Sequence, residues 1–484
     1  MASQKTIEIN NFAQMLPEVP QGSQRNQHFL IANANPIYYK GLGATIQEEQ
    51  FAPLYASAKK DIANGTLVLN GNITHLFQDK GWGLGEFFVA TENGYLYYKD
   101  VSNLWLSFPS IGTVGNTSLR GFVYFSDSPK IFLHSNFTAI RWIDSITGSW
   151  TIISGLNILN STISQRQAEV FKADVIISDG NSVLAYPRFL RIMDASLTLT
   201  SDANSLDLGA GVACRGLKNY NDKYLAIAVG NANNPLNYDN NFLYLWDANQ
   251  VLGFNYSVKI PGLFQGMEVI KGILYVLVGE KSGQSALYYL AGTILKKVYD
   301  INYGYPSTTP EYNLFSYYGM LGINLDTGLL VWDREDGVKF FLNQDAVTMY
   351  VQGQSGLDIY SGLDTTLYKE TGTTFNNLKY QSQYFEVSGN LDNVEIFYDQ
   401  PPTASNKISV YADTIDENQP VGSIANSTTQ LVDIDSITAL NSKRTVLDGK
   451  GVLFSKIRIR ITSTGNWNCI IRKIKINYSP VTGQ

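Results

Sequence analysis

The sequence predicts an all-β protein: a β-propeller of five to six blades, preceded by an extended N-terminal arm and followed by a C-terminal β-sandwich. Three observations carry that expectation. Of 484 residues, only 16% are charged while 12% are aromatic, with 41 Gly and 30 Tyr; Gly, Asn, Thr, Ser and Tyr stand where a helical bundle would carry Ala, Glu, Lys and Leu. Short strands separated by Gly- or Asn-bearing turns recur about every 40 to 60 residues, as four-stranded propeller blades do. Near residue 371 that period gives way to alternating strands at the spacing of a sandwich.

Residues 1–60 come first. An apolar start from Ile7 to Met15 leads into LPEVPQGSQRNQ and then ANANPIYYKGLGATIQEEQF. Proline spacing and polar filler suit an extended arm, which stays ordered only if it has a surface to lie on.

Residues 61–375 repeat one sentence with variation: an apolar strand, a turn, a Tyr- or Ile-rich return strand, a polar turn, and a strand bearing Trp. In GEFFVATENGYLYYKDVSNLWLSF, Phe87 to Thr91 and Tyr95 to Tyr98 flank the turn Glu92-Asn93-Gly94. Asn-Gly supplies the positive φ angles that a tight type I′ hairpin demands. The next unit places strands at Gly121 to Phe125, Lys130 to His134, Ala139 to Ile143 and Trp150 to Ile153. Looser units follow in VIISDGNSVLAYP, YLAIAVGNANN with NFLYLWDANQ, MEVIKGILYVLVGEKSGQSALYYLAG and YYGMLGINLDTGLLVWDREDGVKFFL. Units this small bury their faces only by stacking around an axis; an array of β-sandwiches is the competing arrangement.

Residues 376–484 carry strands at Tyr380 to Val387, Val394 to Tyr398, Lys407 to Ala412, Leu453 to Thr462 and Asn468 to Tyr478, interrupted by Pro401-Pro402 and a polar stretch over 413–445. Their spacing predicts a β-sandwich.

Composition narrows the chemistry. A formal net charge of −6 argues against polyanion binding by the whole surface and leaves local basic patches. Cys214 and Cys469 lie in expected strands far apart, and are read as buried thiols, not as a disulfide or metal pair. The start lacks a basic segment leading into an apolar one, and no run of 18 apolar residues occurs, so neither a secretory signal nor a membrane helix is expected. Sequons such as Asn72-Ile-Thr74 and Asn136-Phe-Thr138 are those an Asn/Thr/Ser-rich chain produces by chance.

His28, His75 and His134 share no metal-ligand spacing and are read as surface or half-buried side chains. Asp144-Ser145-Ile146-Thr147-Gly148-Ser149-Trp150 has the flavour of a sialidase box without its order, and reads as a turn closing a blade. Asp333-Arg334-Glu335-Asp336-Gly337 lacks the alternate-position ligands of a calcium loop and reads as a hairpin turn. No catalytic residue, metal site or cofactor is therefore expected. Tyr95 to Tyr98 and Tyr317-Tyr318 are read as cross-strand packing, not as a glycan-stacking platform.

One charged feature stands out. Lys456, Arg458 and Arg460 alternate with Ile457, Ile459 and Ile461, and the following strand carries Arg472, Lys473 and Lys475, with no Asp or Glu between Lys450 and Lys475. Read as a C-terminal hairpin, the two strands present a basic strip facing DNA phosphates, an acidic neighbouring subunit, or solvent.

INNFAQMLPEVPQG near the start, units closing in Gly-x-Leu-Tyr-Tyr or Gly-Ser-Trp, and KYQSQYFEVSGNLDNVEIFYDQPPTASNKISVYADT in the last third give the chain a layout that resembles the virion β-propeller proteins of tailed phages, of the tail nozzle or packaged-DNA-stabilisation (tail hub) type. The resemblance spans nearly the whole chain and supplies no catalytic residue. It implies a structural virion protein made in the host cytoplasm: a homo-oligomeric ring in the tail that continues the portal channel, retains or passes double-stranded DNA without sequence preference, and meets portal or adaptor and tail-fibre or needle proteins. Low charge and many Tyr suit permanent interfaces. The competing class is a glycan-binding or glycan-cleaving propeller in receptor recognition, which exposed Trp and acidic residues on one propeller face would favour.

Overall fold

A computed structural model describes residues 4–9, 15–17, 39–42, 44–47, 50–53, 67–78, 85–93, 95–100, 105–108, 121–125, 130–134, 139–143, 148–157, 159, 166–180, 186–201, 204–249, 253–301, 313–325, 328–334, 337–343, 349–352, 359–369, 379–382, 385, 387–400, 407–415, 426–434, 444–464 and 470–481. All regular structure among them is β, apart from a single residue of 3-10 geometry at Asn204. The chain forms two compact units, one of Met1–Lys60, Gly328–Gln344 and Glu370–Gln484, the other of Asp61–Thr327 and Asp345–Lys369.

The N-terminal stretch supplies β1 (Lys5–Ile9), β2 (Met15–Pro17), β3 (Tyr39–Leu42), β4 (Ala44–Gln47) and β5 (Gln50–Pro53). Seven successive sheets follow among the described residues. The first holds β6 (Ile73–Gln78), β7 (Gly85–Thr91), β8 (Leu96–Asp100) and β9 (Trp105–Ser107), the second β10 (Gly121–Phe125), β11 (Lys130–His134), β12 (Ala139–Ile143) and β13 (Thr151–Ser154). The third holds β14 (Ala168–Phe171), β15 (Asp174–Asp179), β16 (Phe189–Met193) and β17 (Leu206–Asp207), the fourth β18 (Val212–Tyr220), β19 (Tyr224–Asn231), β20 (Phe242–Trp246) and β21 (Tyr256–Lys259). The fifth holds β22 (Leu263–Ile270), β23 (Ile273–Gly279), β24 (Ser285–Ala291) and β25 (Ile294–Ile301), the sixth β26 (Leu314–Tyr317), β27 (Met320–Leu325), β28 (Gly328–Asp333) and β29 (Gly337–Asn343). β30 (Met349–Gln352), β31 (Ile359–Leu363) and β32 (Thr366–Lys369) make the seventh.

The first strand of each sheet packs on the first strand of the next, in the cycle β6, β10, β14, β18, β22, β26, β30 and back to β6. That cycle is a closed β-propeller. Among the described residues it has seven blades, one or two more than the sequence period suggests, because the last sheet has short strands, no Trp, and a turn whose left-handed residue is Asp364 and not Gly.

Hydrophobic clusters bind neighbouring blades to each other. Ile140, Val175 and Met193 join the second and third; Phe171, Leu190, Leu225 and Trp246 the third and fourth; Leu243, Val258, Leu274 and Val276 the fourth and fifth. Ile73, Leu76, Tyr360 and Leu367 join the first to the seventh. The second strand of a blade is covered on both faces, so its sequence is a continuous apolar run: Leu225 to Gly230 of β19 and Leu274 to Gly279 of β23 are buried throughout. Turns between first and second strands need left-handed residues, which Lys271 and Gly272 (φ 49° and 77°) and Tyr318 and Gly319 (φ 48° and 76°) provide.

The remaining strands are β33 (Lys379–Ser382), β34 (Gly389–Gln400), β35 (Lys407–Ile415), β36 (Asn426–Ile434), β37 (Arg444–Asp448), β38 (Leu453–Phe454), β39 (Lys456–Thr464) and β40 (Ile470–Pro480). One sheet runs β37-β34-β40-β5-β4, with β1 also on β40 and β38 on β34; the other runs β2-β3-β33-β39-β35-β36. Val394, Ile396, Ile474 and Ile476 from the first meet Val410, Ala412, Ile457, Ile459 and Ile461 from the second in one core, the expected sandwich.

The N-terminal stretch differs from the expected arm. Its described residues are strands of this same sandwich: β1 lies antiparallel on β40, pairing Ile9 with Ile474 and Ile7 with Ile476, and Ile9 is fully buried. The alternation of Lys5–Ile9 fits one buried and one open face, so the surface this segment lies on is its own chain's last strand.

Candidate polyanion and partner interface

β39 alternates as its sequence demands. Ile457, Ile459 and Ile461 are fully buried, while Lys456, Arg458 and Arg460 stand half-buried on the outer face. Opposite them on β35 lie Asp413, in register with Arg458, and Tyr411, in register with Arg460. Arg458 Nε donates to Asp413 Oδ2 at 3.0 Å, Arg460 Nη2 donates to Oδ1 at 3.3 Å, and the Arg460 guanidinium lies 4.4 Å from the Tyr411 ring centroid. Asp413 is buried beneath two guanidiniums, so the trio carries net positive charge with both arginines fixed in place.

Arg472, Lys473 and Lys475 occupy a different sheet. The two basic strands do not form a hairpin: β39 pairs with β33 and β35, whereas β40 pairs with β34, β1 and β5. Both strands turn isoleucines into the common core, which leaves their basic residues on opposite outer faces of the sandwich. The expected single strip is therefore two separate patches.

On β40, Lys473 Nζ lies 2.8 Å and Lys475 Nζ 3.6 Å from the Glu8 carboxylate of β1. The hydrogen bond from Lys473, with the nearby charge of both lysines, holds the Glu8 carboxyl below its ordinary pKa against a smaller opposing effect of burial. Lys473, Lys475 and Arg444 all stand within 5.8 Å of the Phe397 ring centroid. Arg444 also bridges to Glu395 at 2.8 Å, and Asn477 donates to Glu395 at 3.0 Å and to Asn393 at 2.7 Å while accepting from Thr6 at 2.6 Å. The irregularity in pairing between Phe397 and Tyr398 sets Arg472 out of step, and it is exposed.

Sequence reasoning found these cations and missed their partners. Asp413 and Glu8 come from distant strands, and the acid-free stretch 450–475 gave no sign of them. It also missed a buried charge cluster in the third blade. Asp179 Oδ1 accepts from Arg166 Nη1 at 2.8 Å and from the Asn157 N–H at 3.0 Å, and Oδ2 accepts from Arg191 Nη1 at 3.1 Å. Arg166 Nη2 donates to the Asn157 carbonyl at 2.6 Å, and Arg191 Nη1 donates to the Gly155 carbonyl. Burial pushes the Arg166 pKa down and Asp179 opposes that push. With Arg166 and Asp179 enclosed, this network ties Gly155 and Asn157 to β15 and β16.

His75 is buried on β6 and not at the surface or half-buried as expected, because it sits within a blade strand; Cys214 is a buried thiol contacting the Gly216 carbonyl at 3.7 Å. His134 ends β11, and Asp333 and Gly337 bound the β28–β29 hairpin. His28, Cys469, residues 144–147 and residues 335–336 lie outside the described residues. Among the described residues, no group of three His, Cys, Asp or Glu is placed to hold a metal ion, and no helix is long and apolar enough to cross a membrane.

No protein-family model and no curated protein matches the sequence. Among solved structures, the WD40 β-propeller domain of Doa1 is similar, with a TM-score of 0.46 and 11% identity over 65% of this chain and 95% of that one.

Proposed function

We propose that this chain is a structural virion protein of a tailed phage, a ring-forming tail component of nozzle or hub type that continues the portal channel, retains or passes double-stranded DNA and anchors further tail parts. The observation that supports this best is the weave of β1 and β5 onto β40, which ties the N-terminal strands to β40 within one sandwich, together with a propeller whose inner strands close on themselves. Asp413 and Glu8 each pair with cations of a neighbouring strand, as in a part built for fixed geometry. The layout that resembles virion propellers supplies the rest of the reading.

Mass photometry of the purified protein, alone and with a portal or adaptor component, tests it, beside turnover assays on a glycan panel. Closed rings of one stoichiometry and no glycan hydrolysis are expected. Monomers under all conditions, together with glycan turnover, would overturn it.

A further inference from the structure

The register of the six-stranded sheet extends the β39 patch across neighbouring strands. Lys40 on β3 stands opposite Gln381 on β33, Gln381 opposite Arg460 on β39, Arg460 opposite Tyr411 on β35, and Tyr411 opposite Gln430 on β36. On one side of this row, Lys379 stands opposite Thr462, Thr462 opposite Ser409, and Ser409 opposite Asp433; beyond it Lys407 is opposite Thr464. On the other side, Arg458 stands opposite Asp413 and Asp413 opposite Thr428, with Lys456 opposite Ile415.

Residues paired across antiparallel strands share a face, and alternate residues along a strand share it too. Lys40, Lys379, Lys407, Lys456, Arg458 and Arg460 thus hold positions on one face, while Ile457, Ile459 and Ile461 hold the core face. Only Asp413 and Asp433 stand among them at described positions, and Asp413 is already buried under two arginines. In a chain with net charge −6, this concentration of cations is local and uneven.

Strand spacing of about 4.8 Å makes the patch roughly 14 Å wide from β3 to β35, and β39 carries it roughly 14 Å from Lys456 to Arg460. A duplex presents one phosphate charge per about 1.7 Å of its axis, so a patch this size meets several at once. Between the cations stand Gln381, Thr462, Ser409, Gln430 and Thr428, neutral residue types that donate hydrogen bonds to phosphate oxygens. A protein interface of this size would carry an apolar centre. Here the centre is the Arg458–Asp413–Arg460 trio with Tyr411.

We propose that the outer face of the six-stranded sheet docks on the phosphate backbone of double-stranded DNA, without reading base sequence. The proposal rests on the tail-component reading and adds the surface that touches the DNA. The two arginines, fixed by Asp413, give a pre-set pair of donors, and the lysines around them act as point charges.

Fluorescence anisotropy of the full chain with a random-sequence duplex, titrated from about 50 to 200 mM salt, tests this. Wild type is expected to bind with a log–log salt slope of about −3 to −4, as neutralising about four phosphates requires. K379E/K407E/K456E is expected to lose at least tenfold in affinity at the low-salt end, and K379Q/K407Q/K456Q to flatten the slope by about 2 to 3. K223E/K296E/R472E, which changes charge equally on other surfaces, should stay within about threefold of wild type.

Equal losses in the face and control variants would overturn the proposal. So would wild type that ignores the duplex but binds polyglutamate, which would mark the face as a seat for an acidic protein. Mass photometry and the glycan panel on the same samples separate the two readings: rings without duplex binding remove this proposal alone, and duplex binding by protein that stays monomeric with and without a portal or adaptor component and turns over glycan removes the tail-component reading alone.

Discussion

The backbone N–H of Ile73 donates to the Asp364 carbonyl at 2.7 Å and thereby joins the first blade of the propeller to the seventh. Asp364 sits in the left-handed region at φ 49°, in the β31–β32 turn. Two residues earlier, a Cβ added to Gly362 would stand 3.0 Å from Ile73 Cγ2 and 3.1 Å from Ile73 Cδ1. Each blade's described strands are contiguous in sequence, so packing and this hydrogen bond carry the seam.

Replacing Gly362 with Val drives two methyl groups into Ile73. Overpacking of this kind costs about 1 to 3 kcal/mol. Urea unfolding should show that loss for Gly362→Val and a smaller one for Gly362→Ala, and G362V/I73A should recover part of it. Additive losses in the double variant would show that the seam does not depend on this contact.

The buried cluster in the third blade makes a sharper prediction. Asp179→Ala leaves the Arg166 and Arg191 guanidiniums without the carboxylate that both donate to. Removing one partner of a buried ion pair costs about 3 to 5 kcal/mol. Thermal unfolding should register a shift of several degrees, and Asp179→Asn, which keeps one acceptor, should lose less.

Acid should loosen β1 before it unfolds the core. Hydrogen bonding and charge from Lys473 and Lys475 hold the Glu8 carboxyl below its ordinary value of 4.5. A group whose pKa is depressed on folding contributes stability above the unfolded value, and that contribution disappears as pH falls through the folded one. Hydrogen-exchange protection over residues 5–9, taken relative to the intrinsic rate at each pH, should therefore fall below about pH 4, while Ile457 to Ile461 stay protected. Glu8→Gln should remove the pH dependence of the difference.

Ile9→Ala opens space beneath β1 where Ile9 meets the Ile474 row. Truncation of a fully buried isoleucine costs about 2 to 5 kcal/mol. The loss should appear in the unfolding of the sandwich and leave propeller unfolding unchanged. A propeller transition shifted by the same amount would count against that separation.

Much of the fold could be read from local chemistry. The second blade's first three strands fall where alternation places them. A turn through Glu92 and Asn93 does join β7 to β8, but the Thr91 N–H donates to the Tyr95 carbonyl, so the reversal is longer by one residue than a two-residue type I′ turn, and Asn93 does not take the left-handed φ expected of it. Lys456 to Ile461 shows both of its faces in its spelling, and the structure keeps them. Information that depends on pairing across long separations was not legible. The assignment of β39 and β40 to different sheets, and the pairing of Glu8 with Lys473, depend on which strand lies beside which, and a period of 2 is blind to that. The Arg166–Asp179–Arg191 cluster was invisible for the same reason: an arginine ahead of β14, an aspartate at the end of β15 and an arginine in the middle of β16 look solvated until the strands are brought together.

The hydrogen bond between Thr6 and Asn477 spans 471 residues of sequence. During synthesis at about 5 to 20 residues per second, β1 emerges on the order of tens of seconds before β40 exists to receive it. Over that interval Ile7 and Ile9 have no native seat, whereas the blades pair with sequence neighbours and can close progressively. The blades can thus close during synthesis, whereas the sandwich waits for β40, and its first strand must be kept from wrong partners until that strand arrives.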